Sequence, residues 1–142
     1  MTIELHHADG LGPLAQALQV GSHALTADVG EAEGGADAGP SPHDLYDAAL
    51  GACKALTVMW YARRKGLAVT DVHTVVERDD RDERKGGTDG LGVYRLTTRL
   101  RISGDISDAQ LQELGAVAQK CPVHKLMTAV TTEITTEVER AA

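Results

Sequence analysis

The chain has 142 residues, 42% hydrophobic and 25% charged, with a formal net charge of −7. At that length folding buries roughly 68–70% of the surface an unfolded chain exposes, so one domain over residues 1–142 is expected to hold a core without staples. The acidic balance speaks against a nucleic-acid surface, which needs clustered Lys and Arg. The absence of a bilayer-length apolar run or a basic, then apolar, leader speaks against a membrane partner and for a cytoplasmic protein.

In chain order, Thr2 to His7, Leu14 to Val20 and His23 to Asp28 read as three short strands parted by turns at Asp9-Gly10 and Gly21-Ser22, a small antiparallel meander. Gly30 to Pro40 is loop. Ser41 is a good N-cap, Pro42 suits the first helical position and Asp44 completes a Ser-x-x-acid box, so a long helix starts here and stops at Gly66. Leu45, Ala49, Ala52, Leu56, Met59 and Trp60 recur at helical steps and form its apolar stripe. Lys54 and the basic residues of the last turn fall elsewhere, and Cys53 sits on the stripe's edge. Val69 to Glu77 and Val93 to Ser103 read as strands around a charged, exposed and mobile loop from Asp79 to Gly92. A second helix opens on a Ser107/Gln110 capping box and breaks at Cys121-Pro122. Pro122 then starts a short helix through Met127 with Cys121 at its N-cap, and Thr131 to Glu139 alternates as a last strand. The fold class is α+β.

The chemistry-bearing residues are the two cysteines, Cys53 and Cys121. Cytosolic thiols are kept reduced, so a standing structural disulfide is not expected and the thiols are either reactive or merely buried. Cys121 is the easier to read as reactive, because unpaired N–H groups and the positive end of a helix dipole favour thiolate, and His124 is one turn on. Against this stands the ordinary use of cysteine as a small buried hydrophobe, which fits a mid-helix Cys53 even better. Cys53, Cys121, His43 and His124 total four metal-capable ligands, but without Cys-x-x-Cys or His-x-x-x-His spacing no metal is expected, and no other cofactor.

Taken together, His23-x-Leu-x-x-Asp28, Gly34-Gly35, Gly39-Pro40-Ser41-Pro42, Asp44-Leu45, Ala48-Ala49-Leu50-Gly51-Ala52-Cys53 and Cys121-Pro122-Val123-His124 resemble the OsmC/Ohr family of osmotically inducible and organic hydroperoxide resistance proteins. The resemblance spans nearly the whole chain. It implies the OsmC-like fold, antiparallel sheets around a long central helix, as an intertwined homodimer. It also implies roles: Cys53 matches the peroxidatic cysteine and Cys121 the resolving one, with a hydroperoxide as substrate and a thiol or dithiol as reductant.

One departure stands out. The family's peroxidases use an Arg from the N-terminal strands and a Glu ten positions before the first cysteine, whereas position 43 here is His and the first Arg is Arg63. Arg63 lies about 15 Å along the helix from Cys53 at 1.5 Å per residue. His43, His23 and His124 are therefore the candidate supporting residues, and slower oxidation of Cys53 with a histidine in its pH dependence is expected. Two functions remain open: a thiol-dependent hydroperoxide reductase, and a non-catalytic redox-responsive or small-ligand-binding dimer.

Overall fold

Ser41 fixes where the long helix begins. Its hydroxyl accepts the Asp44 N–H at 3.1 Å and the Asp44 carboxylate accepts the Ser41 N–H at 3.0 Å, so two donors otherwise orphaned at a helix start are satisfied. In the structure, a computed structural model that describes residues 1–85 and 91–141, helix α1 then runs Pro42–Lys65. Gly66, at φ 70°, takes the left-handed conformation that ends it. Ahead of α1, strands β1 (Ile3–His7), β2 (Gln16–Val20) and β3 (His23–Ala27) form the expected antiparallel meander, with Leu18 opposite both Leu5 and Leu25. After it, β4 (Ala68–Asp82) pairs with β5 (Val93–Asp105), followed by α2 (Asp108–Gln119) and α3 (Pro122–Ala129). Both bonds of the capping box that opens α2 are made, Gln110 N–H to Ser107 Oγ at 3.1 Å and Ser107 N–H to Gln110 Oε1 at 2.9 Å.

The chain divides into two compact units. The first comprises Met1–Gly51 and Val76–Thr98. Within it the loop after β3 winds around Asp28, which is 4% exposed and accepts N–H groups from Val29, Ala38 and Ala36 at 2.8, 3.0 and 3.1 Å. These bonds, that from Ala38 foremost, hold its carboxyl below the ordinary carboxylate range. Gly35 is required by the same winding, because a Cβ there would lie 2.2 Å from the Val29 carbonyl oxygen. Charge organises the helix start: Arg78 donates to Asp47 at 2.6 Å and to Asp44 at 2.8 Å, and the Tyr94 hydroxyl donates to Asp47 at 2.6 Å. Burial, and then the bond to Asp47, push the Tyr94 phenol up to about 12.

The second unit comprises Ala52–Val75 and Arg99–Ala142. Its core joins Val58 and Ala62 of α1 to Leu114 and Ala118 of α2, with Leu67, Val69, Leu100 and Ile102 packed against them. Alanines on both helices let the backbones come close, which suits a chain with no Phe.

Two local expectations are corrected, the loop from Asp79 and the last strand. The apolar stripe of α1 is largely outward: Leu56, Met59 and Trp60 are 67%, 45% and 60% exposed. The buried residues are Asp47, Leu50, Gly51, Lys54, Val58 and Ala62. Lys54 thus stands on the inner face, where the Ala-rich sequence offered no contrast to reveal it. The segment read as a loop from Asp79 is strand as far as Asp82, in the ladder with β5, and Asp82 pairs with Arg95 of β5 at 2.5 Å and with Lys85 at 2.7 Å. The middle of that expected loop, residues 86–90, lies outside the described residues. Thr131 to Glu139 forms no strand, since a strand exists through ladder bonds to a neighbour and neither sheet of this chain pairs with the segment.

Leu114 has no exposed surface and sits at the centre of the second core. Leu114→Ala is expected to lower unfolding stability by about 2–5 kcal/mol, as loss of a fully buried leucine does. Denaturant unfolding with an unchanged m-value measures it.

Candidate thiol site

The second thiol owes its setting to the residue after it. Pro122 disfavours helical geometry in its predecessor, and Cys121 takes φ −65°, ψ 143°, turning the chain between α2 and α3. Cys121 thereby becomes the N-cap of α3, and its Sγ accepts the His124 N–H at 3.4 Å. The N-cap reading from sequence holds, but the inference that it leaves Cys121 a ready thiolate does not. Cys121 is wholly buried, and desolvation pushes its thiol pKa up, outweighing the His124 N–H, which pulls it down. Cys53 adds to the upward push through hydrogen bonding and charge, while the Lys54 cation opposes it. Cys121 is therefore held as the protonated thiol near neutrality.

Cys53 is half-buried on α1, and both cysteines are reduced. Lys54, only 3% exposed, donates from Nζ to the Ala118 carbonyl at 2.9 Å and to His124 Nδ1 at 3.0 Å. An ammonium can only donate, so His124 Nδ1 accepts and the imidazole proton lies on Nε2. Cys53, Lys54, Cys121 and His124 thus belong to one unit and form one cluster.

The other two histidines belong to the first unit. His43 lines a cleft of about 350 Å³ with Pro42, Tyr46, Glu83 and Tyr94, and its Nε2 lies 3.0 Å from Glu83 Oε1. His23 opens β3 on the exposed surface, opposite Val20. Lys54 is the residue that sequence reasoning left on the wrong face. The signal was faint: Leu50, Lys54, Val58 and Ala62 recur at steps of four, the spacing of one helix face. Among the described residues no cluster of three His, Cys, Asp or Glu could hold a metal ion, and no helix is long and apolar enough to cross a membrane.

A three-stranded meander, a long helix that carries one cysteine and a second cysteine at a proline elbow place the chain among α+β proteins. Residues 34–137 match the family described as OsmC-like protein, and the chain belongs to that family. Among solved structures, an OsmC-like protein from Mycoplasma pneumoniae is 18% identical with a TM-score of 0.70, covering 91% of this chain and 87% of that one. An organic hydroperoxide resistance protein from Legionella pneumophila is 20% identical, with a TM-score of 0.60 and coverage of 90% and 88%. The organic hydroperoxide resistance protein OhrB of Bacillus subtilis is 18% identical, with a TM-score of 0.57 and coverage of 91% and 92%. These likenesses establish the OsmC-like fold. Comparison with curated proteins finds no match.

Because Cys53 is one of the groups that raise the Cys121 pKa, its removal acts in a known direction. In Cys53→Ser the Cys121 thiol is expected to ionise at lower pH than in the reduced wild-type protein. Thiolate ultraviolet absorbance, checked by the pH dependence of Cys121 alkylation, measures the shift, and an unmoved or rising midpoint contradicts it.

Proposed function

We propose that the chain is a two-cysteine thiol peroxidase that reduces organic or inorganic hydroperoxides. The observation that carries this reading is that Cys53, far from Cys121 in sequence, lies in the same unit and close enough to bear on the Cys121 thiol by hydrogen bond and charge. The solved relatives described as organic hydroperoxide resistance proteins support the choice of substrate class.

Exposure divides the roles. Cys53 is only half-buried and is the sulfur a substrate reaches, whereas Cys121 is wholly buried and held protonated. The Cys53 thiolate attacks the peroxide O–O bond, takes one oxygen as sulfenic acid and releases the other as an alcohol or water. The Cys121 sulfur then attacks the Cys53 sulfur, forming the disulfide as the hydroxyl leaves with a proton as water. A dithiol returns two electrons by exchange and restores both thiols. The geometric demand of the disulfide is Cα atoms within roughly 7 Å.

A second reading is a redox-responsive or ligand-binding dimer without turnover. It is favoured by the absence of any Arg before Arg63 and by the His at position 43. The same assay separates the two. With an organic hydroperoxide and a dithiol, wild-type protein is expected to turn over, Cys53→Ser to lose turnover, and Cys121→Ser to retain a trappable sulfenic acid at Cys53. Non-reducing peptide mapping is expected to recover one intrachain Cys53–Cys121 peptide. Stoichiometric oxidation without turnover favours the second reading, and rapid sulfenic acid at Cys121 in Cys53→Ser reverses the role assignment.

Both readings assign the protein to a homodimer. The support is the outward face of α1, where Leu56, Met59 and Trp60 border a groove of about 500 Å³ with Arg63 and Leu67. Sedimentation at micromolar concentration is expected to give a dimer, and Trp60→Glu to weaken it. A stable folded monomer of the wild-type protein contradicts the assignment.

A further inference from the structure

Lys54 is a buried cation that the peroxidase chemistry above leaves without a task. Its hydrogen-bond partners among the described residues are a main-chain carbonyl and an imidazole nitrogen, so these bonds solvate the ammonium without supplying a counter-charge. A charge removed from water in this way is costly unless an opposite charge meets it. Position shows where that opposite charge is to arise. Ala118 lies three residues before Cys121, in the last turn of α2, and His124 three residues after it, in the first turn of α3. Lys54 therefore ties together the two sides of the elbow whose apex is Cys121. The third ammonium proton is not used by either of these bonds.

We propose that Lys54 is a positioning residue for disulfide closure: its buried ammonium, anchored on both sides of the Cys121 elbow, supplies the positive charge that the Cys121 sulfur needs as it gives up its proton. The proposal rests on the peroxidase reading and deepens it. In the closing step the S–O bond of the Cys53 sulfenic acid breaks, the S–S bond to Cys121 forms, and the Cys121 proton leaves with the hydroxyl as water. Cys121 is oxidised and the Cys53 sulfur is reduced by the same electron pair, so no further reactant is needed. The difficulty is that Cys121 is desolvated, and in an apolar setting its thiolate would be disfavoured. The titratable groups bearing on it are Cys53 and Lys54 from α1, α3 contributes the His124 main-chain N–H, and Lys54 is the cation among those that influence it. Lys120 and Lys125, which flank the elbow in sequence, are exposed.

The test uses the full chain, reduced, rapidly mixed with cumene hydroperoxide and quenched, with Cys53 sulfenic acid and the disulfide followed separately from mildly acidic to alkaline pH. Lys54→Met keeps the apolar stem and removes the charge. In this variant sulfenic acid formation is expected to stay within a few-fold of wild type. Disulfide closure near neutrality is expected to slow by about tenfold, its pH midpoint moving up by about one unit. Lys54→Arg, which keeps the charge, is expected to recover most of the rate. A purely structural clamp would change unfolding stability without moving the midpoint, so a folded Met variant that closes with the wild-type rate and midpoint overturns the proposal. If the Met variant does not fold, Cys53→Ser protein carrying nitrogen-15 lysine decides instead. The Lys54 ammonium resonance is expected to shift in step with Cys121 thiolate absorbance, and independent titrations overturn the proposal. Wild-type protein that forms neither sulfenic acid nor disulfide counts against the peroxidase reading, and the coupled titration still decides whether Lys54 and Cys121 share a charge.

Discussion

A lysine ammonium with almost no contact with water is the constraint on which the thiol-bearing unit is built. Lys54 lies on the face of α1 that carries Val58 and Ala62, so the packing that forms the apolar core also carries the cation inward. Once there, it must find oxygen or nitrogen acceptors, and the acceptors it finds are on α2 and α3. The same bonds thus hold the elbow between those helices and place a charge beside a buried sulfur. Packing and chemistry are not separable at this point. A neutral apolar side chain at position 54 would join the core more cheaply.

The first unit shows the opposite treatment of buried charge. Asp47 is also buried, but it receives Arg78 and the Tyr94 hydroxyl, and Arg78 reaches Asp44 as well. Asp44 in turn caps the helix through Ser41. Cap, ion pairs and phenol form one network with a carboxylate for its cation, and its effect is to fix the start of α1 and the strands that supply Arg78 and Tyr94. Asp28 likewise spends its charge on main-chain N–H groups and organises the preceding loop. Compensated charges in this unit build structure. Lys54, in the other unit, meets neutral acceptors among the described residues.

Two further features concern surfaces a single chain leaves uncovered. Leu56, Met59 and Trp60 face outward from α1, and Ile134 and Val138 are 82% and 93% exposed in the segment that alternates like a strand but pairs with none. Alternation prepares a segment for one-sided burial, yet the ladder bonds that make it a strand have to come from a second segment.

What the sequence determined by itself is the punctuation of the chain. Ser41 with Asp44, Gly66, Ser107 with Gln110, and Cys121 with Pro122 act over a few residues through dihedral preference and capping bonds, and α1, α2 and α3 begin where they say. The family was legible for the same reason, as short motifs in order. Tertiary structure decided what depends on neighbours remote in sequence. It chose which face of an Ala-rich α1 is buried, and so drew Lys54 inward and left Trp60 out. It extended β4 to Asp82, because β5 supplies the ladder bonds. It also reversed the local reading of Cys121. The helix terminus that favours a thiolate is a short-range effect visible in sequence, whereas the desolvation that outweighs it comes from burial among other elements, and only the folded chain sets that.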